Sequence, residues 1–269
     1  MKKLFLMLLM AACLPAMGQT PANDSIGKCN GLFSVGPNTK VRFAPGNLQY
    51  QPSTHLWRFA PQQTDVAGWQ DYYASPRYKG WTDLFGWGTG DNPINYSIIG
   101  DDYKYTDWGI FCALPTGDGK QWRALSLEEW TYLLSKRPRA RRLYALAYVC
   151  GHYGMVLLPD NWKCPKGIYM LTGPKEDKTN VYNEEKWARL EAAGAVFLPA
   201  ETKRMGAESV GSANACHYWT SSINSKKGDE ALYLLVDPYL PQAKSASRAT
   251  GMSVRLAQDV EIESEIDNQ

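Results

Sequence analysis

The chain has 269 residues, of which 29 are basic and 27 acidic, for a formal net charge of +2. Two of the bases, Lys2 and Lys3, fall in the first few residues, and without them the two signs balance. That balance gives no basic stripe for nucleic acid or an anionic membrane surface, and the length allows one large or two small domains.

Lys2-Lys3, the apolar stretch Leu4 to Leu9 and the small-residue end Ala16-Met17-Gly18 read as a secretory signal peptide over residues 1–18. The apolar run is too short to stay as a membrane span, and no later segment is long and apolar enough to be one. Cys13, after Met10-Ala11-Ala12, loosely resembles a lipid attachment site. The expected address is outside the cytoplasm: periplasm, cell surface or extracellular. Residues 19–30 are small and polar, a flexible leader.

From Gly31 the pattern is strand-like. Val41 and Phe43, then Leu48 and Tyr50, alternate on either side of a Pro45-Gly46 turn, and Leu56 to Phe59 reads as a further strand. Residues 62–118 carry Trp69, Tyr72, Tyr73, Trp81, Phe85, Trp87 and Trp108 among Gly and Asp, with no surviving period. A stretch of that length is functional, or irregular but packed. A helix is expected over residues 122–135, with Ser126 and Glu129 as a capping box and Trp130, Leu133 and Leu134 as its apolar face. Met155 to Pro159 reads as a strand. A second helix is expected from Glu184 to Ala193, capped by Asn183 and ended by Gly194. Short apolar strands then alternate with long polar loops: Gly194 to Ala200, Tyr218 to Ser222, Ala231 to Val236 and Gly251 to Leu256. Residues 259–269 form an acidic tail, and a single domain over residues 31–258 is the expected organisation.

Several separated motifs resemble the exported bacterial FISUMP-type (major paralogous domain) family. They are Trp122-Arg123-Ala124-Leu125-Ser126 with Glu129-Trp130, Leu157-Leu158-Pro159-Asp160-Asn161-Trp162, Phe197-Leu198-Pro199-Ala200, Tyr218-Trp219-Thr220-Ser221-Ser222 and Gly251 to Leu256. Gly31 to Val35, Val41-Arg42-Phe43, Gly46 to Tyr50 and Leu84 to Gly88 resemble it in the front half. The resemblance implies an α+β, C-type-lectin-like fold akin to the sulfatase-modifying factors. Two helices would pack on a small, twisted, mainly antiparallel sheet with long loops. Val41-Arg42-Phe43 and Val254-Arg255-Leu256 would then share a sheet. Such a resemblance carries fold more than function.

Candidate ligand-binding residues follow from this picture: His217 and Tyr218 on one strand, Asp237 and Tyr239 in the loop from Asp237 to Ser247, and Trp108 in the aromatic middle. Trp219 reads as core. Asp91, Asp101, Asp102 and Asp107 supply oxygens but lack the spacing of a calcium loop. Lys136, Arg137, Arg139, Arg141 and Arg142 form a basic run, read either as a solvated helix end or as a polyanion site.

Five cysteines follow the signal peptide: Cys29, Cys112, Cys150, Cys164 and Cys216. Five is odd, so not all can pair within one chain, and Cys150 with Cys164 is the first pairing to test. Cys150 with His152 and Cys216 with His217 are the nucleophile candidates, but no recognised catalytic motif accompanies them. The expectation is therefore a non-catalytic module, without a cofactor, that binds a glycan or protein. The alternatives are a structural or assembly component of the envelope and an enzyme of the sulfatase-modifier kind. A display protein diversified over Ser222 to Ser253 is a further possibility.

Overall fold

The computed structural model describes residues 29, 31–88, 107–112, 114, 119–173, 180–212, 214–237 and 241–261. Phe33–Gly36 (β1) and Thr39–Phe43 (β2) form an antiparallel hairpin whose Phe33, Val35, Val41 and Phe43 are buried. Leu48–Gln51 (β3) and Leu56–Phe59 (β4) form a second hairpin. In the described residues that follow, up to Gln121, regular structure comprises a 3-10 turn at Asp71–Ala74 and a short helix at Trp108–Phe111 (α1).

The helix expected over residues 122–135 starts later. Ser126 is extended (φ −71°, ψ 164°) and caps Leu127–Thr131 (α2), with both bonds of the capping box in place. Residues before that cap are necessarily outside the helix, and Arg123–Ala124 is a strand (β5). Tyr132–Lys136 continues α2 as a π-helical turn, closed by Arg137 N–H donating to the Tyr132 carbonyl at 2.9 Å. Trp130, Leu133 and Leu134 are buried as their spacing requires.

Tyr144–Val149 (β6) and His152–Leu157 (β7) form a hairpin; β6 also pairs in parallel with Val181–Tyr182 (β8). Glu184–Ala192 (α3) is capped by Asn183, whose side chain accepts from Lys186 N–H. It ends at Gly194 (φ 95°), where Gly194 N–H bonds the Glu191 carbonyl and Ala195 N–H that of Leu190, the paired bonds of a left-handed helix stop. Val196–Pro199 (β9) then joins β7. Lys203–Met205 (β10) and Glu208–Val210 (β11) are a small hairpin. Cys216–Ile223 (β12), Glu230–Val236 (β13) and Pro241–Ser247 (β14) make a three-stranded antiparallel sheet. Leu256–Val260 (β15) lies between β2 and β5, so residues near the two ends share a sheet of order β1-β2-β15-β5. Asp259 and Val260, expected in the tail, are thus paired with Val41 and Lys40.

The result is a sheet-rich α+β fold, antiparallel at every strand pair described except β6–β8. Its apolar clusters lie between β1–β2, the α2–π segment and β12–β13; beneath the tryptophans Trp87, Trp108, Trp122 and Trp219; and between the β6–β7 hairpin and α3. Arg255 joins them. Its buried guanidinium donates to the Asn47 side chain (3.1 Å) and to the carbonyls of Ala44 (3.0 Å) and Phe197 (2.7 Å).

Candidate functional site

The segment between β4 and Thr82 is irregular, yet its base is fixed. Gln63 is buried; its amide donates to the Glu191 carboxyl at 2.7 Å and its carbonyl accepts from Phe197 N–H at 2.7 Å. Ala67 N–H donates to Asp83 at 2.8 Å, and Gly68 N–H to Glu201 at 2.6 Å. The indole of Trp69 donates to the Ala207 carbonyl at 3.1 Å, with the Arg204 guanidinium 5.0 Å from its ring centre. Backbone groups that no ladder can satisfy are thus met by buried side chains.

Asp83 and Glu201 are an unusual anchor, because both carboxyls are buried. Burial pushes Asp83 up to about 7. Burial likewise drives Glu201 well above the ordinary carboxylate range, and the neighbouring Asp83 drives it further. Two such groups disfavour a double negative charge, so the pair retains a proton at neutral pH. The Ser253 hydroxyl donates to Glu201 at 3.1 Å, and the imidazole Nδ1 of His217 donates to the Glu201 carbonyl at 3.0 Å.

Above this base the chain turns outward and presents rings. Tyr73 and Tyr78 stack at 4.3 Å with planes 16° apart. Tyr72 stands edge-on to both, at 4.8 Å from Tyr73 and 5.7 Å from Tyr78. Trp69 closes the group from below, 6.0 Å from Tyr73. Tyr72 is 61% exposed, a large value for a ring in contact with two others, while Trp69 is buried. Adjacent phenols and burial raise Tyr72 and Tyr73 above the ordinary phenol range, so both carry their protons at neutral pH. Arg58 stacks 3.7 Å over Trp81 at the end of the same segment. The arrangement offers apolar ring faces and hydroxyls together, on a fixed base. Such faces and hydroxyls can contact a ligand or a partner surface.

The residues expected to bind ligand lie elsewhere. Trp108 is fully buried under Trp122 and Trp219, which corrects its assignment to a ligand surface: α1 turns it inward, with Asp107 capping that helix and also accepting from Ala124 N–H. Tyr218 is also fully buried, its hydroxyl donating to Asn47 and to the Pro199 carbonyl. His217 is buried beneath the loop base, so it supports the loop and does not face solvent. Asp237 is half-buried and accepts from Gln242 at 3.2 Å. Tyr239, Asp91, Asp101 and Asp102 lie outside the described residues. Trp219 is core, as its strand position predicts.

The basic run divides. Arg137 is buried and pairs with Asp160 at 3.0 Å, while its remaining N–H groups donate to the carbonyls of Leu133, Leu143 and Leu158. Lys136, Arg139, Arg141 and Arg142 are exposed. Cys150 and Cys164 are both free thiols, so the pairing singled out for testing is not formed. Burial pushes the Cys216 thiol up to about 12, and Cys150 is also raised by burial, which leaves both in the unreactive protonated form.

Sequence reasoning missed Tyr72, Tyr73 and Tyr78 as a group. The available signal was their density in an aperiodic stretch flanked by Gly68 and Gly80. No protein-family model, curated protein or solved structure matches the chain.

Proposed function

We propose that the protein is an exported, non-catalytic module on a C-type-lectin-like scaffold of FISUMP type. It recognises a glycan or a protein through the tyrosine-bearing loop between β4 and Thr82. The observation that carries this reading is the contact of Tyr72, Tyr73 and Tyr78 on an exposed tip whose base is held by buried bonds. A preorganised aromatic tip loses little entropy on binding, and the exposed Tyr72 beside the half-buried Tyr73 and Tyr78 leaves ring surface open to a partner. Cys216 offers little support for the enzymatic alternative, because its thiol is buried and donates to the Leu198 carbonyl.

The test is a glycan array and an envelope-extract pull-down, run with the wild-type chain and with Tyr72→Ala and Tyr78→Ala. We expect a ligand retained by wild type and weakened roughly tenfold or more by each variant, at unchanged fold as read by circular dichroism. Absence of any retained ligand, or retention undiminished in both variants, would remove the reading.

A second reading, a structural or assembly component, is favoured by one observation: β14 is a strand of seven residues that, among the described residues, is paired on one side only. Open edges are templates for another chain. Native mass spectrometry of the envelope would support it by a stable oligomer or fixed partner, and a uniformly monomeric protein would end it.

A further inference from the structure

The tyrosine loop has two arms, and different bonds hold them. The outgoing arm, residues 67–73, carries Tyr72 and Tyr73; the returning arm carries Tyr78. Neutral groups tie the returning arm to the β3–β4 hairpin. Ser53 N–H donates to the Tyr78 carbonyl at 3.1 Å, and the Gln51 amide donates to that of Lys79. The outgoing arm is tied at Ala67 and Gly68 to Asp83 and Glu201, and at Trp69 to the Ala207 carbonyl. The 4.3 Å stack of Tyr73 on Tyr78 therefore joins two separately anchored arms.

The two acids are themselves fixed to other elements. Thr82, next to Asp83, exchanges both backbone bonds with Tyr50, at 2.8 and 2.9 Å. Glu201 N–H donates to the Ala215 carbonyl at 3.1 Å. Asp83 is 0% exposed and Glu201 5%. Among the described residues no basic side chain forms an ion pair with either. A buried carboxylate without a counter-charge is costly, and two side by side are more so. Lifting the outgoing arm would let water reach both, and a hydrated carboxyl sheds its proton near about pH 4. Closure therefore takes up protons, and it weakens as pH rises.

The groups facing the pair leave that sign in place. Asp65 adds negative charge beside Asp83, and Tyr73 stays neutral. From β12, Tyr218 is buried and neutral, and His217 bonds the Glu201 carbonyl. From β10, Lys203 lies near His217 and Arg204 packs over Trp69; both keep their charge throughout. The Ser253 hydroxyl donates to Glu201 and does not titrate. His217, lowered by burial, favours opening only below its ordinary value of about 6.5. Above that it is neutral whether the arm is open or closed.

We propose that Asp83 and Glu201 form a proton-operated latch on the tyrosine loop: while the pair is protonated the outgoing arm is fastened and Tyr73 meets Tyr78, and on loss of the proton the arm lifts and the rings part. Resting on the proposed function, the latch makes the tip capture its ligand less well as pH rises through neutrality.

The latch is read without a ligand, so it stands or falls apart from the binding reading. Exchange of the Ala67 and Gly68 amides is followed by NMR on the ¹⁵N-labelled chain at about pH 6.5 and about pH 7.5, corrected for the intrinsic pH dependence of exchange. Protection should fall roughly tenfold over that unit. The nuclear Overhauser contact between the Tyr73 and Tyr78 rings should weaken by about pH 9. In the double variant Asp83→Asn/Glu201→Gln, whose amide oxygens can still accept both N–H bonds, protection should change less than roughly twofold. Wild-type protection that holds or rises with pH would overturn the latch. So would a tenfold loss that persists in the double variant, or a ring contact undiminished at about pH 9. Should the double variant not fold, the two wild-type measurements decide alone. A pH-dependent arm in a chain that retains no glycan or protein ligand would end the binding reading and leave the latch standing.

Discussion

The Gly68 backbone N–H donates to the Glu201 carboxyl at 2.6 Å across a separation of 133 residues. Through this bond and its neighbour from Ala67 to Asp83, the loop that carries the tyrosines is held by two buried acids. The shape of the proposed binding surface therefore depends on a proton.

Stability should fall as pH rises from acid to neutral. Asp83 is raised from its ordinary 3.8 to about 7, and Glu201 is raised too. A raised folded pKa contributes stability that is complete below about 4 and is lost as pH climbs toward about 7. The slope is on the order of 1.4 kcal/mol per pH unit for each such group. Other groups face the pair: Asp65 adds to the rise at Asp83, Tyr73 stays neutral, and Arg204 packs over Trp69 beside Gly68. His217, lowered by burial, acts with the opposite sign, losing stability as pH falls through its ordinary range. Urea midpoints across this window should drop toward neutrality in wild type and flatten in Asp83→Asn. A wild-type midpoint that rises throughout contradicts the shared-proton anchor.

Gly68→Ala should destabilise by roughly 1 kcal/mol, because L side chains are disfavoured at positive φ. Here φ is +68°, while the added carbon would stand 4.0 Å from Glu201, so strain acts without a clash. Thermal melts should place Gly68→Asn between wild type and alanine, since asparagine tolerates this region better.

Arg137→Ala should lose about 3–5 kcal/mol, the usual effect of stripping one partner from a buried ion pair. Arg137→Lys should recover only part, because one ammonium cannot reach Asp160 and three carbonyls in the guanidinium's fork geometry. Exposed Arg142→Ala, from the same run, should stay within about 0.5 kcal/mol. Chemical denaturation of the three variants separates these outcomes.

Ser126→Ala should destabilise by about 1 kcal/mol through loss of the side-chain bond to Glu129 N–H at 3.2 Å. Glu129 is bound twice over, to Ser126 N–H and to Arg123, so Glu129→Ala should be the more damaging of the two in the same assay.

The parts that were legible in the sequence are those decided locally. Ser126 with Glu129, Asn183 before Glu184 and Gly194 after Ala193 each act within one helical turn, and each does what its position implies. The strands around Pro45-Gly46 follow from alternation alone. The π turn was not legible: Leu133 and Leu134 suit an α-helix equally, and what distinguishes the turn is Arg137 folding inward to Asp160. The aromatic loop was not legible either. Its path is set by Gln63 meeting Phe197 and Gly68 meeting Glu201, contacts over 130 residues distant that no local period reports. Trp108 and Tyr218 were misplaced for a related reason: amphipathic aromatics suit a binding rim and a core alike, and only the surrounding packing decides.

The strand order β1-β2-β15-β5 sets a timetable for synthesis. A nascent chain grown as far as Gly251 holds β2 and β5 but not the strand that lies between them. Ala257 to Val260 must emerge before Lys40 to Phe43, already paired with β1, acquire their second partner strand, so the sheet closes only once β15 has followed β12 to β14 out of the ribosome.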